Sequence, residues 1–131
     1  MELRFGDDRR PFATAIALTR VVLGLAAVAA PGPAGRAWIG PGASGRDRAV
    51  ILRALGGRDV ALGVGALLAL RAGREARRWL LMGAISDLVD TAASAAGFGA
   101  LPERRRWLVL AASGGAACAG AFLGSTLRED P

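Results

Sequence analysis

Four long apolar stretches alternate with short polar ones along this chain. They run over residues 12–30, 47–72, 79–98 and 107–127. Each is near the roughly 20 residues a helix needs to cross a bilayer. In three of them, small residues recur at three- and four-residue spacing, which sets them on one helix face. The first face reads Ala13, Ala17, Arg20, Gly24, Ala27 and the second Gly56, Asp59, Gly63, Ala66. The third reads Gly83, Asp87, Asp90, Ser94, Gly97. Such faces let helix backbones approach closely in a membrane. The fourth stretch is uncharged and holds Gly120-Ala-Phe-Leu-Gly124, a G-x-x-x-G contact signal. The pattern predicts an all-α fold: a four-helix transmembrane bundle, up-down-up-down, with residues 1–131 as a single integral membrane domain.

The polar segments between the runs read as turns. Residues 31–45 form the one long connection, rich in Pro and Gly, and read as a flexible loop. Within it, Gly40-Pro-Gly-Ala-Ser-Gly45 matches G-x-G-x-x-G. A dinucleotide site would need a strand before that motif and a βαβ unit around it, and a helix ending in Pro precedes it instead. Ser44-Gly-Arg-Asp47 has the form of a capping box and marks the start of the second helix. Residues 71–78 form a tight basic turn with Trp79 at an interface position after it, and residues 101–107 form the next turn, with Pro102 suited to a helix start and the arginines anchoring it. The first apolar run also has features of a signal peptide, a basic edge and the small-residue end Ala27-Val-Ala-Ala30. Arg20 inside the run and Pro31 after it favour a retained helix.

Composition sharpens the membrane reading. Hydrophobic residues make up 53% of the chain but aromatics only 5%, and the mean hydropathy is +0.37. A water-soluble core would have to be filled with Ala, Leu, Val and Gly, a poor filling there and an ordinary one between membrane helices. The net charge is +6, with every basic residue an arginine. Those arginines flank the apolar runs, where they meet lipid head groups. No basic helix face and no interleaved aromatics point to nucleic acid. The expected partner is therefore the lipid bilayer, with a membrane-protein partner or a second copy beside it. Eight arginines on the terminal side against six on the other favour termini inside, in a multi-pass protein of a bacterial inner membrane. The single cysteine, Cys118, reads as a small core residue. With no His and one Cys, neither a metal nor a cofactor is expected.

The candidate chemistry lies in five charges set inside the apolar runs: Arg20, Arg58, Asp59, Asp87 and Asp90. All fall near mid-span. A lone charge there costs roughly 2.5–3.5 kcal/mol on insertion scales, so the five should pair. Arg58 and Asp59 lie about 100° apart round the helix and are expected to serve different neighbours. Two arginines against three acids leave one acid over, either protonated or met by Arg53 snorkelling in from a turn or more away. One reading is a polar core that fixes how the helices pack. The other is a proton or cation site of a small transporter, or a pocket for a polar ligand or lipid head group, built on Asp87 and Asp90. The lack of aligned polar residues on the last run argues against a continuous pore. Paired acids on membrane helices also hold metal in CDP-alcohol phosphatidyltransferases, but there D-x-x-D continues into G-x-x-A-R. Here Thr91 follows Asp90 and no Arg comes later on that helix. No nucleophile–base pair is visible, so an enzyme is not expected.

Three segments carry a family likeness: Arg20-Val-Val-Leu-Gly24, Gly57-Arg-Asp-Val-Ala-Leu-Gly63 and Gly83-Ala-Ile-Ser-Asp-Leu-Val-Asp90. In these the chain resembles small four-helix membrane proteins of actinobacteria, a family of unknown function distantly similar to the DoxX-like group. The likeness covers residues 12–127. It implies the four-helix membrane fold and no particular activity.

Overall fold

A computed structural model of the protein describes residues 8–43 and 45–128. Among these the chain is all-helical, with no strand. Five α-helices follow one another: α1 Arg10–Ala29, α2 Pro31–Trp38, α3 Arg46–Ala72, α4 Ala76–Ala96 and α5 Glu103–Thr126. Short 3-10 turns lie at Pro41–Ala43 and Phe98–Ala100.

The extra helix is the main departure from the sequence pattern. Residues 31–38, expected as loop, form α2. Pro31 stands in the first turn of α2, where its fixed φ and missing N–H cost nothing. In the G-x-G-x-x-G segment Gly40 and Gly45 stand at positive φ and Pro41–Ala43 form a 3-10 turn, and among the described residues no strand precedes it. α3 starts at Arg46, with Gly45 at its N-cap and no side-chain cap bond. Ser44, the capping residue of the expected box, lies outside the described residues. α4 and α5 begin a turn earlier than the apolar runs, because Arg77, Arg78 and residues 103–106 are helical.

Two antiparallel pairs make the architecture. α1 lies along α3 and α4 lies along α5. The α1–α3 contact is backbone on backbone. A Cβ on Gly24 would lie 2.6 Å from the carbonyl oxygen of Gly56, and one on Gly56 would lie 2.6 Å from that of Gly24. Gly63 presses in the same way on Ala17. In the second pair Gly120 meets Ala84 and Gly124 meets Leu81, so the G-x-x-x-G of α5 is a working contact. α3 joins α4 between the pairs. Gly73, at φ 74, closes α3, and its N–H is satisfied by Ala69 and Leu70.

The packing is inverted relative to a water-soluble bundle. The buried positions are mostly small: Ala13, Ala17, Ala66, Ala69, Ala76 and Ala84, with the contact glycines. Among the described residues no large side chain is fully buried. Leu18, Val22, Leu25, Leu68, Met82, Ile85, Val89, Leu108 and Phe122 all face outward. The one apolar cluster with leucines lies at the end carrying the α3–α4 turn, and joins Ala13, Ala69, Leu70, Ala76, Leu80, Leu123 and Leu127. α1 and α5 are long and apolar enough to cross a membrane. α3 and α4 are as long, but their internal charges take them out of that class. Cys118 is exposed, not in the core. It sits two residues from Gly120, about 200° round the helix from the packed face.

The arginines at the helix ends do more than flank. Arg53 donates to the Val28 carbonyl at the end of α1, and Arg105 to Ala37 at the end of α2. Arg10 donates to Leu70 at the end of α3. Arg77 and Arg9 reach Gly124, Ser125 and Thr126 at the end of α5. A helix leaves its last four carbonyls unpaired, with a partial negative charge there. Each of these guanidiniums answers that need on a neighbouring helix.

The α1–α3 crossing gives a direct test. Gly24→Val should lower the thermal midpoint of the detergent-solubilised protein, with overpacking costing about 1–3 kcal/mol or more. Gly57→Ala, on the same α3 but with nothing near its Cβ, should leave the midpoint unchanged or raise it, by up to about 1 kcal/mol. Equal effects would rule out the close crossing.

Candidate functional site: an ion-pair chain across three helices

The stripes of small residues bring α1, α3 and α4 close enough for their charges to meet. Arg20, half-way along α1, donates through Nη1 to Asp59 Oδ1 of α3 at 3.0 Å. Its Nη2 donates to Asp87 Oδ2 of α4, and to the Gly83 carbonyl at 3.4 Å. Arg58 of α3 grips Asp90 of α4 with both nitrogens, Nη1 to Oδ1 at 3.1 Å and Nη2 to Oδ2 at 2.8 Å. The same Nη2 lies 3.2 Å from Asp59 Oδ1. All five predicted residues therefore form one alternating chain: Asp87, Arg20, Asp59, Arg58, Asp90.

Two details differ from the sequence expectation. Arg58 and Asp59 do touch, because the long arginine side chain bends back across the 100° between them. Their other bonds still go to different helices, Arg58 to α4 and Asp59 to α1. And Arg53 does not reach the acids, since its guanidinium is spent on Val28. No carboxylate needs it. Asp59 lies between both arginines, so two guanidiniums serve three acids through the planar fork that suits bidentate contacts. Three carboxylates against two guanidiniums still leave one excess negative charge.

The chain is closed at one end and open at the other. The side chains of Arg20 and Asp87 are 12% and 11% exposed. Those of Arg58 and Asp90 are 30% and 36% exposed. Behind the closed end sits a hydroxyl pair missed from the sequence. Thr91 Oγ1 donates to the Asp87 carbonyl at 2.7 Å and lies 2.9 Å from Ser113 Oγ of α5. Ser113 in turn donates to Val109 at 2.8 Å. The signal was its spacing with Val109, Gly120 and Gly124 on the buried face of α5. A single hydroxyl pair makes no polar path through the bundle. Two atoms near the open end, Arg58 Nε and Ser86 Oγ, are buried without a partner.

The arrangement binds helices to each other. Among the described residues no group of His, Cys, Asp and Glu is placed to hold a metal ion. Comparison with protein-family models, with curated proteins and with solved structures finds no match.

Burial predicts unequal consequences. Asp87→Asn removes the more buried of the two carboxylates on Arg20, leaving it Asp59 and the Gly83 carbonyl, and should cost about 1–3 kcal/mol, the range for a lost hydrogen bond to a charged group. Asp90→Asn, at the half-exposed end, should cost clearly less. Thermal melts of the two variants in the same detergent check the order, and a larger loss for Asp90→Asn would contradict this burial pattern.

Proposed function

We propose that this chain is a multi-span bacterial inner-membrane protein with a structural or assembly role rather than a catalytic one. In this reading α1, α3, α4 and α5 are the four spans, up-down-up-down, and α2 lies at one membrane face. The inverted packing supports it. Large aliphatic side chains face outward along every long helix while Ala and Gly fill the interior. In water that surface is a large exposed apolar patch, and in lipid it is an ordinary one. α3 and α4 bring their charges into the bilayer paired with each other and with α1. The likeness to the small actinobacterial DoxX-like proteins points the same way.

The observation that carries the role is that every acid of the polar core is bound to an arginine of a neighbouring helix or turn of helix. Within that core no carboxylate is left unpaired to act as a base or nucleophile. The polar core sets helix register. A second reading, a small transporter or ligand-binding membrane protein using Asp87 and Asp90 for a proton or cation, draws on the excess negative charge and the exposure of Asp90.

Two measurements on the full chain test these readings. After alkaline carbonate washing the protein should stay in the membrane pellet and be released only by detergent; release by carbonate alone would end the membrane reading. Reconstituted in vesicles, it should carry no proton flux above empty vesicles at an imposed potential. A flux that Asp90→Asn abolishes would replace the structural reading with the transporter one.

A further inference from the structure

The four long helices divide by what each can do alone. α1 and α5 are apolar enough to cross a membrane, and α3 and α4, with charges in their middles, are not. α4 is the extreme case. Asp87 and Asp90 lie in its middle, while its own arginines, Arg77 and Arg78, lie in its first turn. The guanidiniums that meet those acids come from elsewhere, Arg20 from α1 and Arg58 from α3. α3 meets part of its own need, since Arg58 touches Asp59, and Arg20 of α1 meets the rest. A carboxylate at mid-bilayer is costly without such a partner. The tip of the α3–α4 hairpin is held from outside as well. Arg10, at the start of α1, donates to the Leu70 carbonyl, and Arg77 donates to the Gly124 and Ser125 carbonyls at the end of α5. Leu70, Ala76 and Leu80 of the hairpin pack with Ala13 of α1 and Leu123 of α5. These contacts form only with the 71–78 turn at the face that carries the start of α1 and the end of α5.

Building on the membrane reading above, we infer that α3 and α4 form a conditionally inserted hairpin, locked across the bilayer by the ion-pair chain. α1 and α5 cross unaided and fix both termini on one face. α3 and α4 cross only when their charges close on each other and on Arg20, and the contacts at the tip then hold the turn in place. With the pairs broken, α3 and α4 stay at the face that carries α2, and their basic turn, with Arg71, Arg74, Arg77 and Arg78, lies there too. Neither terminus moves between these two states, because α3 and α4 together add one crossing in each direction and leave α5 running the same way. The ion pairs thus decide which side of the membrane presents the turn, as well as how the helices pack.

The test maps the two turns of the full chain. Cys118→Ala removes its one cysteine, an exposed residue. A single reporter is then placed either in the hairpin turn, by Arg74→Cys at an exposed position, or before α5, by Gly99→Cys, where nothing lies near a Cβ. The chains are made by cell-free synthesis into sealed inner-membrane vesicles, where no cellular protease removes a misinserted product. A membrane-impermeant maleimide is added before and after the vesicles are opened. With the five charges intact, the two reporters should react from opposite sides. Arg20→Leu with Arg58→Leu, which leaves the acids without their arginines, should move the Arg74→Cys reporter to the side of the Gly99→Cys reporter and leave the latter where it was. Adding Asp59→Leu, Asp87→Leu and Asp90→Leu, so that no charge remains, should return it. An Arg74→Cys reporter that keeps its side in the chain lacking both arginines would overturn the inference, as would a Gly99→Cys reporter that moves or a charge-free chain that fails to recover. Reporters that both react fully before the vesicles are opened, in the chain with its five charges, would instead overturn the membrane reading on which the inference rests.

Discussion

A charge in an apolar medium must be paired, and the rest of this structure is arranged around that constraint. Five charges sit mid-way along three helices. None can be left alone at a bearable cost, so α1, α3 and α4 must hold the one relative depth and rotation at which Arg20, Asp59, Asp87, Arg58 and Asp90 meet. Small residues make this possible. Gly24, Gly56 and Gly63 bring α1 and α3 to backbone contact, and Gly83 lies beside the Arg20 guanidinium. Larger side chains there would hold the helices apart and break the chain of pairs.

The same need recurs at the helix ends in weaker form. The final carbonyls of α1, α2, α3 and α5 each receive a guanidinium from a neighbouring helix. Arginine suits this because it keeps its charge and spreads five donors over a planar fork. The absence of Lys from the sequence fits a chain whose cations make directed hydrogen bonds as well as carrying charge. Contact is most extensive between α1 and α3 and between α4 and α5, and thinner between α3 and α4.

Much of this was legible in the sequence. The small-residue faces on the first three runs follow directly from helical spacing, and the structure buries Ala13, Ala17, Gly24, Gly56, Gly63, Ala66, Gly83 and Asp87 on them. The five charges were legible because their depth agrees across three runs. Other features were not. α2 hides in a Pro- and Gly-rich segment whose composition reads as loop, and only the first-turn position of Pro31 marks it. The capping arginines look like lipid anchors until their neighbours are known. The sharing of Asp59 between two arginines depends on how far an arginine can bend, which spacing does not encode. Cys118 lies in a uniformly small, apolar run, where only the spacing of Ser113 with Gly120 and Gly124 marks the face that packs.

The central claim is that the Arg20–Asp87 pair is a coupled unit holding α1 against α4. A double-mutant cycle of thermal unfolding in detergent tests it most directly, with Arg20→Leu, Asp87→Leu and the two combined. If the pair is coupled, Arg20→Leu strands the buried Asp87 carboxylate and melts far below the unmodified protein, and Asp87→Leu, which leaves Arg20 only Asp59, melts below it too. The double variant then melts above at least one of them, since no unpaired charge remains and Arg58 still serves Asp59. If the two losses simply add, the residues act independently, and the ion-pair chain does not hold these helices together.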